Sequence, residues 1–271
     1  MTLSVATRGG EVESQHIGHV VVVRGGRVAA AFGDPDVPVY TRSAIKPLQA
    51  LPLFDRGLVA RLQLTDQELA LISASHQGTP LHTATVAGLL RKGGLAAEQL
   101  GCGPHAPFDR DAALALARQG HAPERIHNNC SGKHAGFLLL ACDCGTPLAD
   151  YLAPESTAQR LVRAAVADMT RVPETAMGIG VDGCGAPTLR LPLSALAIGF
   201  WQLANPQSLP ATRRDACTRL LTAVNATRLV SFSPSPSFSR TSVRLATLVP
   251  VYTASAVCSV LPSVVLVTRP A

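Results

Sequence analysis

Five consecutive residues, Cys130-Ser131-Gly132-Lys133-His134, bring a thiol, a hydroxyl, an amine and an imidazole together. Packing alone does not require that density. Asn128, Asn129 and Gly132 predict a turn, and the apolar run Gly136 to Ala141 predicts a helix, so the polar groups are expected where a loop enters a helix. The N-terminal end of a helix carries unpaired N–H groups and a partial positive charge, which favour a thiolate at Cys130 or an anionic group of a substrate. A second cluster is Ser43-x-x-Lys46. Positions i and i+3 of a helix share a face, so the amine of Lys46 is expected against the hydroxyl of Ser43. A hydroxyl becomes a nucleophile at neutral pH only beside a base, and lysine serves as one only when burial or another cation lowers its pKa. The chain has just three lysines, Lys46, Lys92 and Lys133, with arginine used elsewhere, which suggests that the amine is chosen for its chemistry.

Ser73-Ala74-Ser75-His76-Gln77-Gly78 offers another hydroxyl and an imidazole, or else an ordinary turn with hydroxyl caps. Cys130 and Cys184 each sit in a glycine-flanked loop, next to Lys133 and Asp182 respectively. Two thiolates from separate loops can hold zinc, but CxxC spacing is absent, and free buried cysteine is the commoner outcome. A literal Gly-x-Gly-x-x-Gly at Gly178, Gly180 and Gly183 fails as a dinucleotide site: Pro187 interrupts the helix that should follow, and no acid lies about 20 residues on. There is no Gly-x-Ser-x-Gly elbow and no His-Glu-x-x-His.

The elements that must position these groups are mostly helical. His19 to Phe32 alternates around Gly25-Gly26 and predicts a β-hairpin. Thr65-Asp66-Gln67-Glu68 is a capping box opening a short helix, and Thr79-Pro80 opens another that carries Val86, Leu89 and Leu90 and ends at Gly93-Gly94. Further helices are expected over Asp109 to Arg118, Cys130 to Ala141, Ser156 to Met169, Leu193 to Ala204 and Ala211 to Val224. Met177 to Val181 predicts a buried strand leading into Asp182-Gly183-Cys184.

The length of 271 residues suits one large domain or two small ones. The formal charge of +6 is concentrated: Ala226 to Ala271 holds four arginines and no acid, which leaves 20 basic and 18 acidic residues before it. With a nearly neutral body and 4% aromatic residues, a nucleic-acid partner is not expected. Seven cysteines in irregular spacing, with no secretory leader, predict a reducing, cytoplasmic setting. Leu245 to Val267 is uncharged and long enough to cross a bilayer, but Pro250, Pro262 and its serines and threonines argue against a membrane span. Residues 226–271 differ in character from 1–225, with Ser/Pro repetition at Ser231 to Ser239 and no Gly, Lys, Asp or Glu. A translated frameshift that replaces a lost C-terminal segment accounts for this, and a Ser/Pro linker before a β-rich end is the alternative.

Four motifs taken together carry a family resemblance: Thr41-Arg42-Ser43-Ala44-Ile45-Lys46-Pro47-Leu48-Gln49, Ser75-His76-Gln77-Gly78, His127-Asn128-Asn129-Cys130-Ser131-Gly132-Lys133-His134, and Val181-Asp182-Gly183-Cys184-Gly185-Ala186-Pro187. In this order over residues 1–225 they resemble the rhizobial, thermolabile type II L-asparaginase family. The resemblance implies an α/β fold similar to serine β-lactamases, penicillin-binding proteins and glutaminases, with an antiparallel sheet, a helical region, and Ser-x-x-Lys opening a central helix. It implies a homodimer that hydrolyses L-asparagine. It makes Ser43 and Lys46 one Ser-Lys pair and Ser75 a second serine. It gives zinc to Cys130, Lys133 and Cys184, and it places Arg42, Asn129, His134 and Asp182 at the substrate. In the family, the lysine partner of the second serine comes from the C-terminal portion, whereas the last lysine here is Lys133. A β-lactamase-like hydrolase would want Ser-Asp-Asn and Lys-Thr-Gly as well, and neither string occurs. A non-catalytic, zinc-binding product is the remaining alternative.

Overall fold

The computed structural model describes residues 1–227 together with strands 251–253 and 263–267. It begins with a hairpin that the sequence pattern does not announce. Strands β1 (Thr2–Arg8) and β2 (Glu11–Ile17) pair antiparallel around Gly9 and Gly10, whose φ angles of 60° and 90° only glycine adopts freely. None of their residues is buried. The hairpin expected at Gly25-Gly26 is present: β3 (His19–Arg24) pairs antiparallel with β4 (Arg27–Phe32), with Arg24 opposite Arg27 and Val20 opposite Phe32. Val21 and Val23 are fully buried, as period-2 alternation demands.

β5 (Pro38–Tyr40) leads through a 3-10 turn, Arg42–Ile45, into three short helices: α1 (Lys46–Gln49), α2 (Leu51–Asp55) and α3 (Leu58–Arg61). The next helices follow the capping signals. In α4 (Asp66–Ile72) the Thr65 hydroxyl accepts from the Glu68 N–H while Glu68 accepts from the Thr65 N–H. α5 (Pro80–Lys92) opens on Thr79-Pro80 and stops at Gly93. α6 (Arg110–Arg118) is capped by Asp109 and α8 (Thr157–Thr170) by Ser156; between them lies α7 (Ser131–Cys144). β6 (Gly178–Val181) and β7 (Pro187–Pro192) then precede α9 (Leu193–Ala204) and α10 (Ala211–Ala226). Beyond residue 227, β8 (Val251–Thr253) pairs antiparallel with β9 (Ser263–Val267), and β9 lies parallel to β3.

The chain is thus mixed α/β, with small sheets ordered β1-β2, β4-β3-β9-β8 and β5-β7-β6 around one helical core. Among the described residues all pairings are antiparallel except β3 with β9. Among the described residues no helix is long and apolar enough to cross a membrane. The expected change of character over residues 226–271 falls mostly outside the described residues, as does most of the uncharged segment 245–267.

Two expectations need correction. The segment ending at Val181 is a strand but not a buried one: Ile179 is 40% and Val181 78% exposed. β6 is the edge of its sheet, and Gly178 and Gly180 lie against the side chains of Arg190 and Tyr40. The alternate residues, which carry the apolar side chains, therefore face out. Gly132 is not a turn residue. It lies in the first turn of α7, whose residues Ser131 to Ala141 are all buried, and α7 packs on α4, α5 and α8. A β-carbon at Gly132 would stand 2.6 Å from the Leu71 carbonyl oxygen, at the end of α4.

That contact yields a prediction. Gly132→Ala gains about 1 kcal/mol of helix propensity. It must also push apart two backbones, at an overpacking cost of about 1–3 kcal/mol. A net loss, read as a Tm lowered by a few degrees in thermal unfolding, is the expected result. Gly103→Ala, where a β-carbon would meet nothing within 4 Å, is the control and is expected to be near neutral.

Candidate active site

The site is assembled where four segments converge. β7 holds the first: the Thr41 N–H and hydroxyl both donate to the Leu189 carbonyl, at 2.9 and 3.0 Å, and the Arg42 N–H donates to the Thr188 hydroxyl at 3.2 Å. Arg42 is thereby held at φ 47°, a left-handed conformation that a non-glycine residue rarely adopts. Such backbone strain persists only where surrounding contacts fix it, and it clusters at functional sites. Arg42 Nε reaches Asp182 Oδ1 at 2.9 Å, which ties the start of the Ser43-x-x-Lys46 segment to the β6–β7 turn. That turn closes through Gly185 N–H to Asp182 O and Asp182 N–H to Ala186 O, with Gly185 at φ 82°.

Lys46 points inward and is 1% exposed. Its amine donates to the Ser75 hydroxyl at 2.9 Å, to the Ala74 carbonyl at 3.2 Å and to Cys130 Sγ at 3.4 Å. Ser43 is absent from that set; its backbone carbonyl accepts from the Lys46 N–H. The expected i, i+3 approach of amine to Ser43 hydroxyl gives way because the 3-10 turn and α1 bury Lys46 toward the loop after α4. Burial lowers the Lys46 pKa, as does the nearby Lys133 cation, against the raising effect of Cys130 and Cys184.

The loop carrying Ser75 is clasped to the start of α7. The His76 N–H donates to the Asn129 carbonyl at 3.1 Å. Gly78 N–H donates to His76 Nδ1 at 3.1 Å, so the ring hydrogen resides on Nε2 and donates to the Ser131 hydroxyl at 2.8 Å. Ser131 passes its own hydrogen to the Ile126 carbonyl at 2.9 Å. Asn128 completes the clasp: its side-chain oxygen accepts from the Cys130 N–H and its amide donates to the Gly103 carbonyl, both at 2.9 Å.

Cys130 and Cys184 are both buried, and each thiol influences the other's proton affinity. The Cys130 pKa is pulled down to about 5 by the Cys184 thiol and by the Lys46 and Lys133 amines, against burial, while the Cys184 pKa is pushed up. One thiolate between two amines is the charge state this favours. Lys133 Nζ lies 3.3 Å from Cys184 Sγ. His134, fully buried, shares a 2.6 Å hydrogen bond between Nδ1 and the Tyr151 hydroxyl. Burial, together with the charges of Lys133 and Lys46, keeps its pKa well below the usual value.

The structure therefore brings Lys46, Ser75, Cys130, Cys184 and Lys133 into one linked cluster, with Arg42 and Asp182 paired beside the β6–β7 turn and His134 one helical residue from Lys133. Asn129 contributes its carbonyl to the clasp. His76, Asn128, Ser131 and Tyr151 hold these groups in place. The first three stood in the sequence motifs without an assigned site role, and nothing in the sequence around Tyr151 marks it.

His76 carries a prediction of its own. Burial, the adjoining His82 and the Lys46 charge lower its pKa to about 3. The folded state thus binds this proton far less readily than the unfolded chain, whose histidine titrates near 6.5. Above pH 6.5 both states are neutral and stability is unaffected. Between pH 6.5 and 3 the unfolded state gains the proton, so stability falls with falling pH, by up to about 1.4 kcal/mol per unit. Urea unfolding of wild type and His76→Gln at pH 7, 6 and 5 is expected to show a shallower acid loss in the variant.

A mixed α/β chain that presses a buried amine against a hydroxyl and a thiol has the makings of nucleophilic chemistry on a carbonyl. The family follows: the L-asparaginase II family model matches residues 5–231, and the chain belongs to that family. Among curated proteins no sequence matches the chain. Membership implies an amidohydrolase, with asparagine as the substrate.

Proposed function

We propose that this protein is an L-asparagine amidohydrolase that works through a serine nucleophile and a lysine base, releasing aspartate and ammonia. The observation that carries the reading is the 2.9 Å hydrogen bond from the buried Lys46 amine to the Ser75 hydroxyl. A lysine accepts a proton near neutral pH only where its cation is destabilised, and burial does that here. Ser75 Oγ attacks the side-chain carboxamide carbon as its proton passes to Lys46. The tetrahedral intermediate collapses with that proton delivered to the departing nitrogen, ammonia leaves, and water attacks the acyl-serine to release aspartate and restore both groups. Ser43, one 3-10 turn before Lys46, is the second hydroxyl of the same site. The Arg42 guanidinium and Asp182 carboxylate suit the α-carboxylate and α-ammonium of a free amino acid, with Asn129 and His134 assigned to the substrate on the family resemblance.

The donor set also fits zinc. Bond lengths of about 2.3 Å to sulfur and 2.0 Å to nitrogen give a tetrahedral edge of about 3.5 Å, close to the 3.3 Å between Lys133 Nζ and Cys184 Sγ. Cys130 supplies the third donor. Among the described residues no group of three His, Cys, Asp or Glu side chains could hold a metal, so a lysine is needed to complete the set. Bound there, zinc would supply charge that keeps the thiols deprotonated and orients substrate, since the nucleophile is already provided.

The arrangement of helices behind short antiparallel strands, with Ser-x-x-Lys entering a helix, supports a serine β-lactamase-like architecture. Free thiols at all six described cysteines suit the cytoplasm. Exposed Val5, Val12 and Ile17 on β1 and β2 suit a homodimer that covers them. The deciding experiment is ammonia release from L-asparagine by the purified chain, with nitrocefin beside it. Ammonia release supports the reading; nitrocefin hydrolysis alone, or neither activity, overturns it.

A further inference from the structure

Two buried histidines of the site have the same tautomer and differ in one respect. His76 has both ring nitrogens bonded, Nδ1 by Gly78 and Nε2 by Ser131. In His134 only Nδ1 is bonded; Nε2 is buried and has no partner among the described residues. The tautomer follows from the neighbours. The Gly101 N–H, which can only donate, reaches the Tyr151 hydroxyl oxygen at 2.6 Å. The hydroxyl hydrogen is then free to point to the one acceptor beside it, His134 Nδ1, also at 2.6 Å. The other assignment would give the ring hydrogen to Tyr151 and leave the phenol hydrogen unspent. The Gly101 N–H, the phenol hydrogen and His134 Nδ1 are all paired only when Tyr151 donates, which puts the histidine hydrogen on Nε2.

A donor sealed from water and unpaired is costly, and proteins retain one where a ligand supplies the acceptor. His134 follows Lys133 in the first turn of α7, and the Lys133 amine lies 3.3 Å from Cys184 Sγ in the same cluster. The ring meets Tyr151 edge-on, at an interplanar angle of 84°, and both residues are 2% exposed or less. Gly101 permits the relay, because a β-carbon there would stand 2.8 Å from the Tyr151 hydroxyl oxygen.

We propose that Tyr151 is a positioning residue that locks His134 as the Nε2–H tautomer, and that this N–H donates to the oxygen of the substrate carboxamide as it gains charge. The inference rests on the amidohydrolase reading and deepens it by assigning a donor to the reacting oxygen. Tyr151→Phe keeps the ring and removes the relay. It is expected to lower kcat about 10–100-fold, with KM changed less than about threefold. His134→Gln is expected to cost at least as much. The double variant is expected to be no worse than His134→Gln alone, because the two act as one unit.

15N NMR of the ring nitrogens, assigned by the loss of signals in His134→Gln, reads the tautomer directly. Wild type is expected to carry the hydrogen on Nε2 alone, and Tyr151→Phe to show a mixture. A Tm loss with kcat intact, multiplicative losses in the double variant, or an Nδ1–H wild type would overturn the proposal. If wild type releases no ammonia from asparagine, the amidohydrolase reading fails by itself. The inference is then decided by adding L-aspartate: a displaced Nε2 resonance upholds an acceptor-binding His134, and an unmoved one overturns it.

Discussion

Ser75→Ala is expected to lower kcat for asparagine by at least about 10³-fold, with KM little changed, while Ser43→Ala loses about 10–100-fold. The asymmetry comes from where the amine of Lys46 is spent. Its contacts are the Ser75 hydroxyl, the Ala74 carbonyl and the Cys130 thiol. The hydroxyl bonded to the base is the one whose proton can move as the carbon–oxygen bond forms. Ser43 is half-buried and meets Lys46 only through its backbone. Removing its hydroxyl takes away a polar group of the pocket and spares the proton transfer. Steady-state ammonia release, with thermal unfolding to certify the fold, measures both variants. Equal losses would make the two serines a single relay, and a larger loss at Ser43 would reverse the assignment.

The candidate groups were more legible in the sequence than the hydrogen bonds among them. Residue types gathered at Cys130 to His134 and the scarcity of lysine drew attention to Lys46 and Lys133, because amines and thiols at such density have no packing purpose. The same sequence could not show which hydroxyl Lys46 would reach. Helical spacing pointed to Ser43, whereas the bonded partner is Ser75, 29 residues away on a loop whose position is fixed by the His76 bond to Ser131. Long-range choices of this kind are made by packing, and only local choices are written in spacing.

The fold divides along the same line. Helix starts at Thr65, Asp109 and Ser156 were readable because a capping side chain satisfies backbone donors within three residues. The hairpin at Gly25-Gly26 was readable because Val21 and Val23 alternate into the core. β1 and β2 were not, since strands buried on neither face need no alternation. β7 was hidden by proline at both ends, which a strand tolerates at its termini. Gly132 was misread for a related reason. Glycine marks turns when φ is positive, but at this position it answers to the close approach of α7 and α4.

Lys46→Met separates activity from stability. Methionine has nearly the length and volume of the lysine stem and carries no charge. The amine it removes is buried, and desolvation is the largest influence on its pKa. Removing that group relieves the burden of holding it there, while leaving the Ala74 carbonyl and the Ser75 hydroxyl without its donor, at about 1–3 kcal/mol for a buried polar atom left unpaired. The two effects oppose, so the unfolding free energy is expected to move by less than about 2 kcal/mol in either direction. Activity has no such compensation. General-base assistance contributes roughly 10²–10⁴-fold, and kcat is expected to fall by about that factor. Urea unfolding and steady-state kinetics on one preparation test both halves. A variant that unfolds at much lower urea would make Lys46 chiefly a structural link between Ser75 and Cys130. A variant as active as wild type would remove the base from the mechanism, and with it the role assigned to Ser75.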